Sequence, residues 1–203
     1  MKKFPVLIAS ILALFLGLTL TGCSGVDSAA TVGSTKISLK ELQSSVDTIL
    51  AERGKVDTSQ MQLQTGADLT RAQLTFMIST MVIEKVAADQ KISITSADVE
   101  AYKTQIYVNI GGSKNLPGVL VNAAIPSTSL DSVLRRDLIL QKISDAEKAK
   151  GSDDATVSAA IQKLVVDKAD QLKISVNPRY GTWDSNTFSV VAKEPAGNAV
   201  TTK

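Results

Sequence analysis

The chain has 203 residues, 22 Lys+Arg against 20 Asp+Glu, 44% hydrophobic residues and no histidine. That length and apolar content suit one domain with a buried core. The missing histidines exclude a Ser-His-Asp triad, a Cys-His pair and a His-ligated zinc. A single cysteine excludes an internal disulfide or a cysteine metal cluster, and a net charge of +2 leaves no nucleic-acid footprint.

The chain opens on Met1-Lys2-Lys3, and Val6 to Leu20 is then uncharged and almost wholly apolar. That run is shorter than the ~20 residues of a comfortable bilayer span. A basic start, a short apolar stretch and small residues at its end predict a secretory signal peptide over residues 1–22. The stretch closes on Leu20-Thr21-Gly22-Cys23, which resembles a bacterial lipobox. The resemblance implies a cut between Gly22 and Cys23 and a diacylglyceryl group on the Cys23 sulfur. Removal of residues 1–22 takes Lys2 and Lys3 with it and no acidic residue, leaving the mature side chains near neutrality. Membrane attachment would then rest on acyl chains, at ~0.8 kcal/mol per buried CH₂. Residues 23–28 read as a tether, 29–192 as the folded domain and 193–203 as a frayed tail. The expected location is extracytoplasmic, on a lipid anchor.

Gly33-Ser34 between Ala29–Val32 and Thr35–Ser38 predicts a tight hairpin, glycine supplying the positive φ. Ser38-Leu39-Lys40-Glu41 is a capping box. The helix behind it carries Leu39, Leu42, Val46, Ile49 and Leu50 on one face and should stop near Gly54. Residues 55–67 read as a polar loop. A second helix is expected from Leu69 to Asp89, apolar around most of its circumference, so either central or open to a ligand on one side. Lys91–Ile94 reads as an extended link.

Thr95-Ser96-Ala97-Asp98 caps a third helix with Val99, Tyr102, Ile106 and Ile110 inward, ended by Gly111-Gly112. Residues 113–128 read as a loop with at most one helical turn. A fourth helix should run from Ser127 or Ser129 to Ala149, with Leu130, Val133, Leu134, Leu138, Leu140 and Ile143 inward. Gly151-Ser152-Asp153-Asp154 breaks it and caps a fifth, and the Asp pair reads as a helix N-terminus rather than a metal site. Val157, Ile161, Leu164, Val165 and Leu172 mark that helix's apolar side. Lys173–Val176 turns extended, Asn177–Gly181 turns, and Trp183 with Phe188–Val191 predicts one closing strand. The fold class is mainly α, with a short hairpin and a strand that pair the two ends of the domain.

This order of elements resembles the N-terminal chaperone module of the SurA-type foldases, related to PrsA lipoproteins and trigger factor. The matching stretches are Ala30–Gly33 into Ile37–Leu42, Leu74–Ile78 to Glu84-Lys85, Ile94–Val99 and Leu130–Ile143. Val176–Trp183 looks like the closing strand of short actinobacterial lipoproteins of this kind. The likeness covers most of residues 29–191. In SurA and PrsA a parvulin-type prolyl isomerase domain sits between helices resembling the fourth and fifth here. This chain has only Lys150-Gly151-Ser152-Asp153 at that place, and parvulin sites use histidines. The resemblance therefore implies a chaperone module without isomerase activity, and no cofactor, metal or nucleic acid.

The implied partners are unfolded or nascent exported polypeptides, and the membrane through the anchor. The rival reading is an envelope scaffold lipoprotein that binds one specific protein. A broad apolar cleft favours the chaperone; a flat, well-packed patch favours the scaffold. A solute-binding lipoprotein would need two α/β lobes and more strands. Candidate client-binding residues are Phe76, Met77 and Met81, with Tyr107 from the next helix and Trp183 from the closing strand. Methionine repacks against varied apolar side chains, as a client groove requires. Core packing is the competing role for each. Tyr180, Trp183 and Phe188 read as a hydrophobic plug under the closing strand, and Arg135-Arg136 as a solvated helix face.

Overall fold

The computed structural model describes residues 27–193. The expected signal peptide, Gly22, Cys23, most of the tether and residues 194–203 lie outside them. The described chain runs β1 (Ser28–Val32), β2 (Thr35–Ser38), α1 (Leu39–Arg53), α2 (Gly66–Asp89) and α3 (Ser96–Asn109). It continues through α4 (Leu116–Asn122), α5 (Leu130–Lys148), α6 (Asp154–Leu172), β3 (Ser175–Val176), β4 (Thr182–Asp184) and β5 (Ser189–Val191). The molecule is mainly helical, with a few short antiparallel strands.

Local chemistry sets three of the helix starts. Ser38 and Glu41 exchange both capping-box bonds at α1, and Thr95 with Asp98 does the same at α3. At α6 the Asp153 side chain accepts from Thr156 N–H, the N-cap role read for it. Gly33, at φ +60°, turns the β1–β2 hairpin. Its N–H donates to the Leu172 carbonyl at 2.7 Å, so the hairpin tip closes the C-terminal end of α6.

Helix α2 is the axis. Leu74, Ile78, Val82, Val86 and Ala87 are buried along it, and α1, α5, α6, β1 and β5 pack around it. Strand β1 is the middle of a three-stranded sheet ordered β2-β1-β3, with Ala30 opposite Val176 and Thr31 opposite Ser175. The two ends of the domain therefore meet in one sheet. Asn177 reinforces the seam, since its N–H donates to the Ala29 carbonyl and its side-chain amide to the Ser28 carbonyl. One polar side chain is deeply buried beside α1: Gln73 is 2% exposed. Its amide donates to the Ala124 carbonyl and its carbonyl accepts from the Ser45 hydroxyl, tying α1 and the end of α4 to α2.

Four expectations need correction. Leu50 is 49% exposed rather than inward, because the buried stripe of α1 runs Leu42, Val46, Ile49 and the next residue lies about 100° around. On α5 the stripe centres on Ile139, which is fully buried, with Leu138 and Leu140 half-buried on its flanks. The segment read as a loop at 113–128 holds the two-turn helix α4 and two 3-10 turns, at Ser113–Asn115 and Ser127–Ser129. Pro117 sits in the first turn of α4, where no intrahelical N–H is needed, so the proline starts a helix rather than breaking one. The single closing strand is a hairpin, with Trp183 opposite Val190.

Candidate functional site

One side of α2 carries a mixed polar and apolar stripe. Asp68, Arg71, Ala72, Thr75, Phe76 and Ser79 recur at three- and four-residue steps and so share one face. That face is one wall of a cleft of about 550 Å³. Arg136 of α5 and Ser189 and Val190 of β5 complete it, with Gln64 at the entrance to α2. Strand β5 is held there by its own backbone: Val190 N–H donates to Thr75 Oγ1 at 2.8 Å. Phe76 is half-buried and lines the cleft, outside the main apolar core.

Two guanidinium groups meet this apolar surface. Arg136 lies over the Phe76 ring, 5.6 Å from its centroid. Its carboxylate contact is with its neighbour Asp137, at 3.4 Å. Burial pushes the Asp137 carboxyl up, and Arg136 offsets part of that rise. Arg71 pairs with the largely exposed Asp68. The hydroxyls nearby are already engaged: Thr75 accepts from β5, Ser79 donates to the Phe76 carbonyl, and Ser189 bonds Thr187. The arrangement suits holding an apolar group beside charge.

The five predicted client-binding residues are not gathered in this cleft. Met77, one step round the helix from Phe76, lines a second cleft of about 430 Å³ between α2, α1 and the turn at Thr128-Ser129. Lys40, Glu41, Ser44, Ser45 and Thr48 complete that lining, largely with the apolar parts of their side chains and of Met77. Met81 is half-buried against the main core. Tyr107 is half-buried on α3, which packs chiefly against α5 rather than α2. Trp183 is half-buried against the core, edge-on to Phe188 with centroids 5.1 Å apart. With Tyr180 these rings form the plug expected under the closing strand.

The arginine pair on α5 is not a solvated face. Arg135 donates from Nε to Glu84 at 2.7 Å and from a terminal nitrogen to the Ile94 carbonyl at 2.5 Å. It fastens the α2–α3 link to α5, as Lys142 does through the Ser93 carbonyl. Phe76 is the one cleft residue that sequence reasoning named as a site residue; Arg71, Arg136 and Val190 are among those it missed. Nothing local relates position 136 or 190 to position 76; the fold alone joins them. Among the described residues no group of three or more His, Cys, Asp or Glu side chains is placed to hold a metal ion. Among them, too, no helix is long and apolar enough to cross a membrane.

A family model described as SurA-like N-terminal domain matches residues 1–144, which reach from the chain start into α5. Helix α6 and strands β3–β5 lie beyond the matched stretch. No curated protein and no solved structure matches the chain.

Proposed function

The chain belongs to the SurA-like N-terminal domain family, and from that premise we propose an extracytoplasmic, lipid-anchored chaperone that holds apolar segments of exported polypeptides. The observation that carries the reading is the cleft over Phe76, a half-buried aromatic ring that the core leaves to solvent beside two arginines. An occupant would bury apolar surface there at ~25 cal/mol per Å². Affinity per site is weak, because an unfolded client must be ordered as it binds. A scaffold for one specific partner, the rival reading, would use this same open surface. The anchor rests on the lipobox ending at Cys23. The absence of isomerase activity rests on the short link between α5 and α6 and on a chain without histidine.

The test is aggregation of a heat-unfolded client with and without the protein. Wild type should delay it, and Phe76→Ser should weaken the delay while moving the melting temperature little, since Phe76 stands outside the core. Prolyl exchange in a test peptide should keep its uncatalysed time of roughly tens to hundreds of seconds. A folded wild-type protein that leaves aggregation unchanged would refute the chaperone reading.

A further inference from the structure

The inference rests on the client-binding reading of the Phe76 cleft and names what that cleft selects. We infer that it takes apolar client segments carrying an acidic side chain beside the apolar one. Ala72, Phe76 and Val190 supply an apolar surface within about 550 Å³. Two guanidiniums, Arg71 and Arg136, line the same cleft against a single carboxylate, Asp68.

Arg136 is the better placed of the two. Guanidinium carries five N–H donors in a fixed fork that suits carboxylate. Among the described residues its one carboxylate contact is Asp137, at 3.4 Å, which is too long for a strong charge-assisted bond. Its remaining donors are therefore open to an incoming carboxylate. Stacking over Phe76 fixes the fork next to the surface that an apolar side chain would cover. Arg71 is tied to Asp68, whose side chain is 72% exposed. Water screens such a pair, so a client carboxylate can compete for Arg71 as well.

The experiment uses three short fluorescein-labelled peptides with one Leu-Phe-Leu centre flanked by Asp, by Asn or by Lys. Fluorescence anisotropy reads their binding to the full chain. The Asp peptide should bind about three- to fivefold tighter than the Asn peptide, the yield of one partly exposed ion pair. The Lys peptide should bind weakest. Arg136→Gln should flatten the series, as should high salt, while Phe76→Ser should weaken all three peptides. Arg71→Gln gives a second variant should Arg136→Gln not fold, and should shrink the Asp advantage in part. Equal affinities for all three peptides, lost together in Phe76→Ser, would overturn the acidic selection and leave the client-binding reading standing. A preference unchanged in both arginine variants would overturn it too. Absence of binding by any peptide to folded wild type would overturn both readings.

Discussion

Gly181 stands at φ +129°, and a Cβ built on it would lie 2.0 Å from the Val191 carbonyl oxygen. The β4–β5 hairpin can therefore close only over a residue with no side chain. Gly181→Ala should cost about 1–3 kcal/mol for the backbone conformation alone, plus whatever shift relieves the clash. A thermal melt within a degree of wild type would show that the hairpin has room to move. The capping carboxylates give a second test at this scale. The Ser38 hydroxyl and N–H hold the Glu41 carboxyl below its ordinary 4.5. The Thr95 N–H and hydroxyl hold Asp98 below 3.8. Each titrates lower in the folded chain than in the unfolded one. Its contribution is thus present above the ordinary value and lost as pH falls through the folded one. Melting temperature should drop on acidification below about pH 4.5, and Glu41→Gln should flatten the upper part of that drop. An acid limb identical in the two proteins would assign the loss to other groups.

Among the helices, α3 is held least by apolar burial. Val99 is its one buried residue, and Val108 is 75% exposed. Tyr102 and Ile106 pack on the core only in part, and polar contacts add to them: Lys103 bridges Glu100 and Asp131 of α5, and Arg135 and Lys142 grip the link before it. Segments with few buried contacts open first. Amide exchange should therefore be faster along α3 than along α2, and Arg135→Ala should speed α3 more than α2. Equal acceleration of both would mean that Arg135 supports the whole core.

The same contrast explains what could be read from residues alone. Both capping boxes, the Gly33 turn and the Asp153 cap need partners within three residues, so they are visible in the chain. The seats of Arg135 and Arg136, the exposure of Leu50 and the second strand of the closing hairpin depend on elements far along the sequence. Arg136 is polar, and polarity alone places a residue at the surface; only the fold lays its guanidinium on a phenyl ring. The candidate cleft was half legible for that reason. Phe76 stood out as apolar surplus on α2, whereas its charged and strand-borne walls did not.

For the molecule as a whole, the sheet matters most. Four residues lie between Cys23 and Ser28, so the five Cα–Cα steps reach about 17 Å fully extended. A lipid on Cys23 would thus hold the domain close to the headgroups. Cys23→Ala should move the protein from the membrane fraction to the soluble one, or leave it as an uncleaved precursor. Wild-type protein cut before Cys23 but carrying no acyl mass would end the anchor reading.

Strand β1 also has a consequence for the order in which the chain is made. It is made early, and β2 can pair with it at once. Its other neighbour comes last: Asn177 and Ser28, joined by a hydrogen bond, are 149 residues apart in sequence. Until residue 177 emerges, one edge of Ser28–Val32 has no strand beside it. Ala29, Ala30 and Val32, buried in the finished domain, also wait for helices that follow. An open edge with apolar faces is a template for pairing with other chains. Long-range closure of this kind is slow, because loop entropy is lost before the final contacts form. The newly made protein therefore passes through the condition it is proposed to guard in others. Its own maturation should be most vulnerable to aggregation in the interval before β3 arrives.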